Sequence, residues 1–227
     1  MTMQTTCDDA ERSATPRRQL ATRKAAWARA LARWLARAYV RPNSVSLASV
    51  AFAAAGCAAF AVVPVMHGAS RTVALVLAAV SIQLRLLCNL LDGMIAVEEG
   101  FKTRTGEIYN DAPDRVADVL LLAGAGYALG DLPGGPSLGW LAAIVALFTA
   151  YLRMLAATVG ATPSFIGPMA KQHRMFALTV VSLCAAAESL WTGSRWVMWI
   201  GLWVIVAGSI VTAARRLRRI LVEVEAR

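Results

Sequence analysis

Charged residues are scarce in this sequence: Asp, Glu, Lys and Arg make up 16% of its 227 residues, while apolar residues make up 58%. A soluble domain usually carries about 25% charged and about 45–50% apolar residues, so the composition argues against a soluble globular fold. The apolar content excludes a disordered chain, and four cysteines without a CxxC spacing exclude a disulfide scaffold. The composition therefore indicates an integral membrane protein, and the length suits one domain.

Long apolar runs are abundant, and a membrane-spanning helix needs about 20 mainly apolar residues. Some of the runs carry no charge, whereas others contain charged residues within them. We predict an all-α integral membrane fold with six transmembrane helices. The predicted spans are 44–66, 72–96, 107–129, 138–160, 175–191 and 196–214.

Basic residues concentrate at the two ends of the chain. Residues 1–41 contain nine Lys and Arg against three acidic residues, and residues 215–227 contain five Arg against two Glu. If both termini are cytoplasmic, the cytoplasmic segments hold 18 Lys and Arg and the opposite loops hold two. This asymmetry predicts a multi-pass protein of a bacterial-type inner membrane with both termini in the cytoplasm. Because the basic residues flank apolar runs, we expect anionic lipids rather than nucleic acid as partners.

The segment ahead of the first span is amphipathic at helical spacing. We predict an interfacial helix at 19–38, between a disordered cytoplasmic tail at 1–18 and a six-helix domain at 39–215. A basic cytoplasmic tail is expected at 216–227. The apolar face of the predicted helix contains Leu20, Trp27, Leu31, Trp34, Leu35 and Ala38, and the basic face contains Arg29, Arg33 and Arg37.

Polar residues cluster where the second and third predicted spans meet the cytoplasmic surface. Asn89 and Asp92 are three residues apart, and Asn110, Asp114 and Asp118 follow one another at intervals of four, so each set lines one helix face. Charged residues inside spans mark function by default. Oxygen ligands with neither His nor Cys among them select Mg²⁺, Mn²⁺ or Ca²⁺ over zinc. The pattern predicts a site for a metal and a diphosphate that opens to the cytoplasm.

This segment resembles the signature of the CDP-alcohol phosphatidyltransferase family, Asp-x2-Asp-Gly-x2-Ala-Arg-x8-Gly-x3-Asp-x3-Asp. Every spacing recurs between residues 89 and 114, although Asn89 and Asn110 replace two aspartates and Val97 replaces the arginine. The amides are similar to those of a divergent bacterial branch of the family. The resemblance implies an enzyme that transfers a phosphatidyl group from CDP-diacylglycerol to the hydroxyl of a small polar alcohol and releases CMP.

The resemblance also implies roles for individual residues. It implies two divalent ions, Mg²⁺ or Mn²⁺, that hold the diphosphate, and it makes Asp114 the base that accepts the proton of the acceptor hydroxyl. The expected metal ligands are Asn89, Asp92, Asn110 and Asp114, with Asp111 as a further candidate. Asp111 and Asp118 can supply the negative charge that the two amides lack.

The start of the first span, residues 42–46, resembles the family pattern Pro-Asn-x-(Leu/Val)-(Ser/Thr). The resemblance therefore implies a cytidine-diphosphate site on this segment and on the small residues of the signature, and it also implies a homodimer. The residues expected to border the nucleotide are Pro42, Asn43, Gly93, Ala96 and Gly106.

Other basic residues lie at or inside the predicted spans. Lys171 and Arg174 precede the fifth span and Arg153 lies near the end of the fourth, so they are candidates for binding a phosphorylated acceptor. The alternative is that they only follow the positive-inside rule. Arg85 lies about 10 Å deeper than Asp92 along the second span. We predict that it pairs with Asp118 and fixes the register of the two helices.

Two other functions remain open at this point. A transporter also uses charged residues inside spans, although here they cluster at one edge and no repeat is visible. A catalytically degraded family member would explain Asn89, Asn110 and Val97. CMP release from a CDP-lipid separates an enzyme from both alternatives. The identity of the acceptor alcohol does not follow from the sequence.

Overall fold

The computed structural model describes residues 26–98 and 106–226, and this part of the chain folds into α-helices without a strand. The all-α membrane fold predicted from the sequence is confirmed. The helices are α1 (Ala26–Arg37), α2 (Pro42–Ala61), α3 (Gly68–Glu98), α4 (Gly106–Tyr127), α5 (Gly135–Thr158), α6 (Lys171–Trp191) and α7 (Trp196–Glu225), with a 3₁₀ turn at Val63–Val65.

Among the described helices, five are long and apolar enough to cross a membrane: α2, α3, α5, α6 and α7. Helix α4 lies outside this group because its first 13 residues include Asp111, Asp114, Arg115 and Asp118. It packs between α2 and α5, so much of this charge is buried in protein rather than exposed to lipid. The protein is a multi-pass membrane protein, and the sixth span remains a prediction.

The helices from α2 to α7 form a closed ring. Going round it, α2 packs on α3, α3 on α6, α6 on α7, α7 on α5, α5 on α4 and α4 on α2. The apolar core fills the ring and includes Phe60, Ile82, Leu121, Leu178 and Leu202, all fully buried. We call the end where α3 stops and α4 starts the site end, because the polar side chains meet there.

Glycines bring α4 and α5 together at the opposite end of the ring. A Cβ on Gly126 would lie 2.6 Å from Cα of Gly139, and a Cβ on Gly139 would lie equally close to Gly126. Small residues permit this approach of two helix backbones, as is common between helices in membranes. The contact sets the angle at which α4 runs toward the site end.

Helix α1 packs on α3 through an alanine stripe. Ala28, Ala32 and Ala36 are buried, whereas Trp27 and Trp34 are 57% and 64% exposed. The tryptophans are therefore on a face that is available to lipid. An amphipathic helix is present within the predicted segment, and its place in the headgroup layer remains a prediction. Residues 19–25 and the predicted tail at 1–18 lie outside the described residues.

The last helix is longer than the sequence pattern suggests. Helix α7 continues past residue 214 to Glu225, and Arg216 and Ile220 in this extension are buried. A run of 30 residues measures about 45 Å, longer than the hydrocarbon core of about 30 Å. The predicted basic tail at 216–227 is thus largely helical, because two of its side chains pack against the protein.

Candidate active site

Asp92 is a buried acidic residue with an unused oxygen. It lies near the end of α3 with 3% of its surface exposed, and the Ser46 hydroxyl of α2 donates to its Oδ2 at 2.6 Å. Within the part of the chain that the structure describes, its Oδ1 has no hydrogen-bond partner. A buried carboxylate oxygen without a partner is unfavourable. This oxygen fits the ligand expected for a divalent cation.

Asp114 accepts hydrogen bonds from donors on two other helices, α3 and α6. It lies on the first half of α4 and is 6% exposed. Its Oδ1 accepts from the Asn89 amide and, at 3.2 Å, from Arg85, both on α3. Its Oδ2 accepts from the Lys171 ammonium at the start of α6. Because Asn89 donates through Nδ2, its carbonyl oxygen stays available as an acceptor.

A second carboxylate, Asp118, lies one turn deeper in the ring. Its Oδ1 accepts from Arg85 at 2.6 Å, and its Oδ2 accepts from Arg174 at 2.7 Å. Asp118 is 1% exposed, and neither guanidinium has more than 1% of its side chain exposed. The predicted contact of Arg85 with Asp118 is present, and its role in helix register stays a prediction. Sequence spacing did not predict Arg174 as a partner of Asp118, because Arg174 lies two helices further along the chain.

Asp111 has different partners from these carboxylates. Its Oδ1 accepts from Arg115 and from Arg153, each at 2.7 Å, and it is half-buried. The residue predicted as a further metal ligand is therefore held by two guanidiniums. The described residues contain no group of three or more His, Cys, Asp and Glu side chains able to hold a metal.

A cationic cavity opens beside Lys171, which contacts Asp114. It has a volume of about 130 Å³ and is partly open to the outside. Phe165, whose ring centroid lies 5.6 Å from the Arg153 guanidinium carbon, forms part of its wall. Sequence reasoning missed two of its cationic residues, Arg115 because it sits among acidic residues and Arg216 because it falls in the predicted tail. The cationic residues that line the cavity are Arg115, Arg153, Lys171, Arg174 and Arg216.

The residues expected to border a nucleotide start their helices or adjoin Asp92. Pro42 and Asn43 begin α2, one turn ahead of Ser46, and Gly106 begins α4. Gly93 follows Asp92 on α3. The structure thus brings these four positions to the site end. The side chain of Ala96, which is also expected to border the nucleotide, lies outside the described residues, and so does that of Asn110, a predicted metal ligand.

Comparison with known proteins identifies the family. A sequence model described as CDP-alcohol phosphatidyltransferase matches residues 39–211. The chain belongs to the CDP-alcohol phosphatidyltransferase family. It is similar to inner membrane protein YnbA of Escherichia coli, with 26% identity over 191 residues that cover 83% of this chain and 88% of YnbA.

Solved structures of phosphatidylinositol phosphate synthase PgsA1 from Mycobacterium tuberculosis have the same fold. The structure with CDP-DAG bound has a TM-score of 0.71 at 20% identity and covers 86% of this chain and 94% of that chain. The complex with manganese and citrate has a TM-score of 0.69 at 20% identity and covers 86% of this chain and 88% of that chain. The protein is a membrane enzyme of the CDP-alcohol phosphatidyltransferase class.

Proposed function

We propose that the enzyme transfers a phosphatidyl group from CDP-diacylglycerol to the hydroxyl of a small phosphorylated alcohol and releases CMP. The observation that carries the proposal is the position of Lys171, which contacts Asp114 and also lines the cationic cavity. A phosphate held in the cavity would keep an attached hydroxyl near the Asp114 carboxylate. The CDP-DAG bound to PgsA1 supports the choice of donor.

We propose that the site end faces the cytoplasm of a bacterial inner membrane. The excess of Lys and Arg in the segments at this end supports the orientation, and the inner membrane protein YnbA supports the compartment. Anionic lipids at the arginine face of α1 and a homodimer remain part of the proposal. The exposed tryptophans of α1 support contact with a membrane surface.

We propose that Asp92 and Asp114 are the charged ligands of Mg²⁺ or Mn²⁺ and that Asn89 and Asn110 contribute amide oxygens. A divalent ion, when bound, neutralises phosphate charge and orients the diphosphate. The unpartnered Oδ1 of Asp92 supports this assignment, and so does the manganese in a PgsA1 structure. Binding of two ions would require further charge, and Asp111 can supply it only by leaving Arg115 and Arg153.

The proposed roles of the side chains follow from their contacts. Asp114 accepts the proton of the acceptor hydroxyl, whose oxygen bonds to the phosphorus next to diacylglycerol while the bond from that phosphorus to CMP breaks. Lys171 and Arg153 bind the acceptor phosphate, and Arg174 lines the same cavity while it neutralises Asp118. Gly93 lacks a side chain next to Asp92 and leaves room for the nucleotide, which Pro42, Asn43, Ala96 and Gly106 border.

The test uses the purified protein in lipid nanodiscs with CDP-diacylglycerol and Mg²⁺. Acceptors are offered in pairs, such as glycerol with glycerol 3-phosphate and inositol with inositol phosphate, together with serine. We expect CMP release with a phosphorylated acceptor and a matching lipid product by mass spectrometry. Release only with unphosphorylated acceptors would contradict the phosphate site. No release with any acceptor would favour a degraded family member.

Loss of a cation in the cavity should weaken acceptor binding selectively. We expect Arg153→Gln and Lys171→Gln each to raise the KM for the acceptor about tenfold or more, because each loses a charged hydrogen bond to phosphate. The KM for CDP-diacylglycerol should stay within about twofold. Arg218→Gln is the matched control, since Arg218 is exposed on α7 at the same end of the ring. Equal increases in the KM values of both substrates would mean that Arg153 and Lys171 do not bind the acceptor phosphate and only follow the positive-inside rule.

A further inference from the structure

The C-terminal part of α7, from Thr212 onward, binds the backbone of the loop between α5 and α6. Its contacts come from Thr212, Arg216 and Glu223, which lie within about 40° of one another around the helix axis. The loop, residues 159–170, has no helix or strand of its own. Backbone groups in such a segment need partners from elsewhere, because unpaired buried polar groups are unfavourable.

Two side chains hold the second half of the loop. Thr212 Oγ1 accepts from the backbone N–H of Met169 at 3.0 Å, and Arg216 Nε donates to the carbonyl of Ile166 at 3.2 Å. Gly167, with φ 135°, passes so close to the helix that a Cβ there would lie 2.7 Å from Thr212 Oγ1. The loop is therefore pressed directly against α7.

Glu223 holds the first half of the loop. Its Oε2 accepts from the backbone N–H of Thr162 at 2.7 Å, and its Oε1 accepts from Arg219 Nε at 3.0 Å. Arg219 thus orients the carboxylate toward the loop. The three contacts run in antiparallel order along the helix and the loop. Glu223 contacts Thr162, Arg216 contacts Ile166 and Thr212 contacts Met169. One helix face therefore binds the loop along most of its length.

The loop in turn forms part of the cationic cavity. Phe165 lies between Thr162 and Ile166 and contacts the Arg153 guanidinium, and Ala170 and Lys171 follow Met169 in the cavity wall. A loop free to move would carry these side chains away from one another. If phosphate had to order these side chains when it binds, the loss of conformational entropy would reduce its affinity. A loop that is already ordered avoids that loss.

We propose that the α7 face made of Thr212, Arg216 and Glu223, here called the loop clamp, is a positioning element that sets the affinity of the cavity for phosphate. It acts through the loop backbone. The hydrogen bond between Glu223 and Thr162 is the contact to test. Neither residue lines the cavity, so its loss cannot remove a direct contact with phosphate. The phosphate readout rests on the proposed function, whereas the order of the loop does not.

The experiment is hydrogen–deuterium exchange of the full chain in nanodiscs, followed at the peptide that spans residues 159–170. We expect Glu223→Ala to speed exchange of this peptide about tenfold, because one charged hydrogen bond is lost. Glu223→Gln keeps an oxygen for Thr162 and should restore most of the protection. Glu225→Ala is the matched control on the same helix end and should behave as the wild type. Unchanged exchange in Glu223→Ala would overturn the loop clamp.

Inorganic phosphate is the probe for the second arm. We expect it to protect the loop peptide of the wild type, with a half-protecting concentration that rises about three- to tenfold in Glu223→Ala. An unchanged concentration together with faster exchange would overturn the positioning role. Absence of protection in the wild type would contradict the phosphorylated acceptor, while the exchange arm would still decide whether the clamp orders the loop. Neither arm depends on turnover.

Discussion

Asp92→Asn is expected to lower the rate of CMP release by at least about a thousandfold while the protein remains folded. The asparagine has nearly the same shape and keeps an oxygen for the Ser46 hydroxyl, which lies 2.6 Å from Oδ2 of Asp92. The substitution removes the negative charge of the carboxylate whose Oδ1 has no hydrogen-bond partner among the described residues. A weaker ligand there would leave the phosphate charge of the donor less well neutralised.

The metal assignment is checked apart from activity. Binding of Mn²⁺ to the detergent-solubilised protein, followed by electron paramagnetic resonance, should weaken about tenfold or more in Asp92→Asn. Asp131→Asn, an exposed acidic residue at the opposite end of the ring, is the matched control. Unchanged Mn²⁺ affinity with lost activity would mean that Asp92 does not hold the ion. Unchanged activity would remove Asp92 from the active site.

Asp114→Asn should also abolish transfer, but for two reasons that this variant does not separate. Asp114 is the proposed base, and it also neutralises Arg85 and Lys171.

The sequence predicts the helix face on which Asp114 lies, because residues three and four apart share a face of one helix whatever the other helices do. The same arithmetic placed Arg85 at the depth of Asp118.

The partners from distant helices could not be predicted in this way. Ser46 on Asp92, Lys171 on Asp114 and Arg174 on Asp118 join segments up to 57 residues apart. Such contacts depend on how far each helix rotates and tilts in the ring. Hydropathy fixes neither angle, because lipid-facing and core-facing residues are equally apolar. The sequence therefore predicted which helix faces carry the carboxylates, but not the donors from distant helices that contact them.

Hydropathy also failed where a helix does not face lipid. The α7 extension reads as a charged tail, yet Arg216 and Ile220 bury themselves against the α5–α6 loop. In α1, the tryptophans have the larger apolar surface, but the alanines make the contact with α3 because small side chains allow close packing. In both cases the neighbouring segment, the α5–α6 loop for α7 and α3 for α1, determines which face of the helix is buried.

Asp118→Asn is expected to have the largest effect on stability. The carboxylate lies between Arg85 and Arg174, and all three side chains are almost fully buried. Removing one partner of a buried charge cluster typically costs about 3–5 kcal/mol, because the remaining charges stay buried without compensation. Arg85 would then keep only Asp114, which accepts from it at 3.2 Å, and Arg174 would lose its carboxylate partner.

The measurement is unfolding in mixed micelles with increasing SDS, followed by tryptophan fluorescence. Asp111→Asn is the matched control, because Asp111 is the same residue type on the same helix and also contacts two arginines, but its side chain is 39% exposed. Partly exposed ion pairs contribute about 0–1 kcal/mol, so this variant should unfold close to the wild type. A similar small effect for both aspartates would mean that the buried cluster does not stabilise the fold.

A double-mutant cycle tests whether Arg85 and Asp118 form a structural pair or whether Arg85 serves Asp114 in the active site. Arg85→Met and Asp118→Leu should each destabilise strongly, and the double variant should lose less than the sum, with a coupling of about 1–3 kcal/mol. The reason is that replacing both charges by apolar groups leaves fewer uncompensated charges in the ring than replacing one. Coupling in stability would assign the pair to the register of α3 and α4. Strictly additive losses would show that Arg85 serves Asp114 instead, and the predicted structural pair would then be wrong.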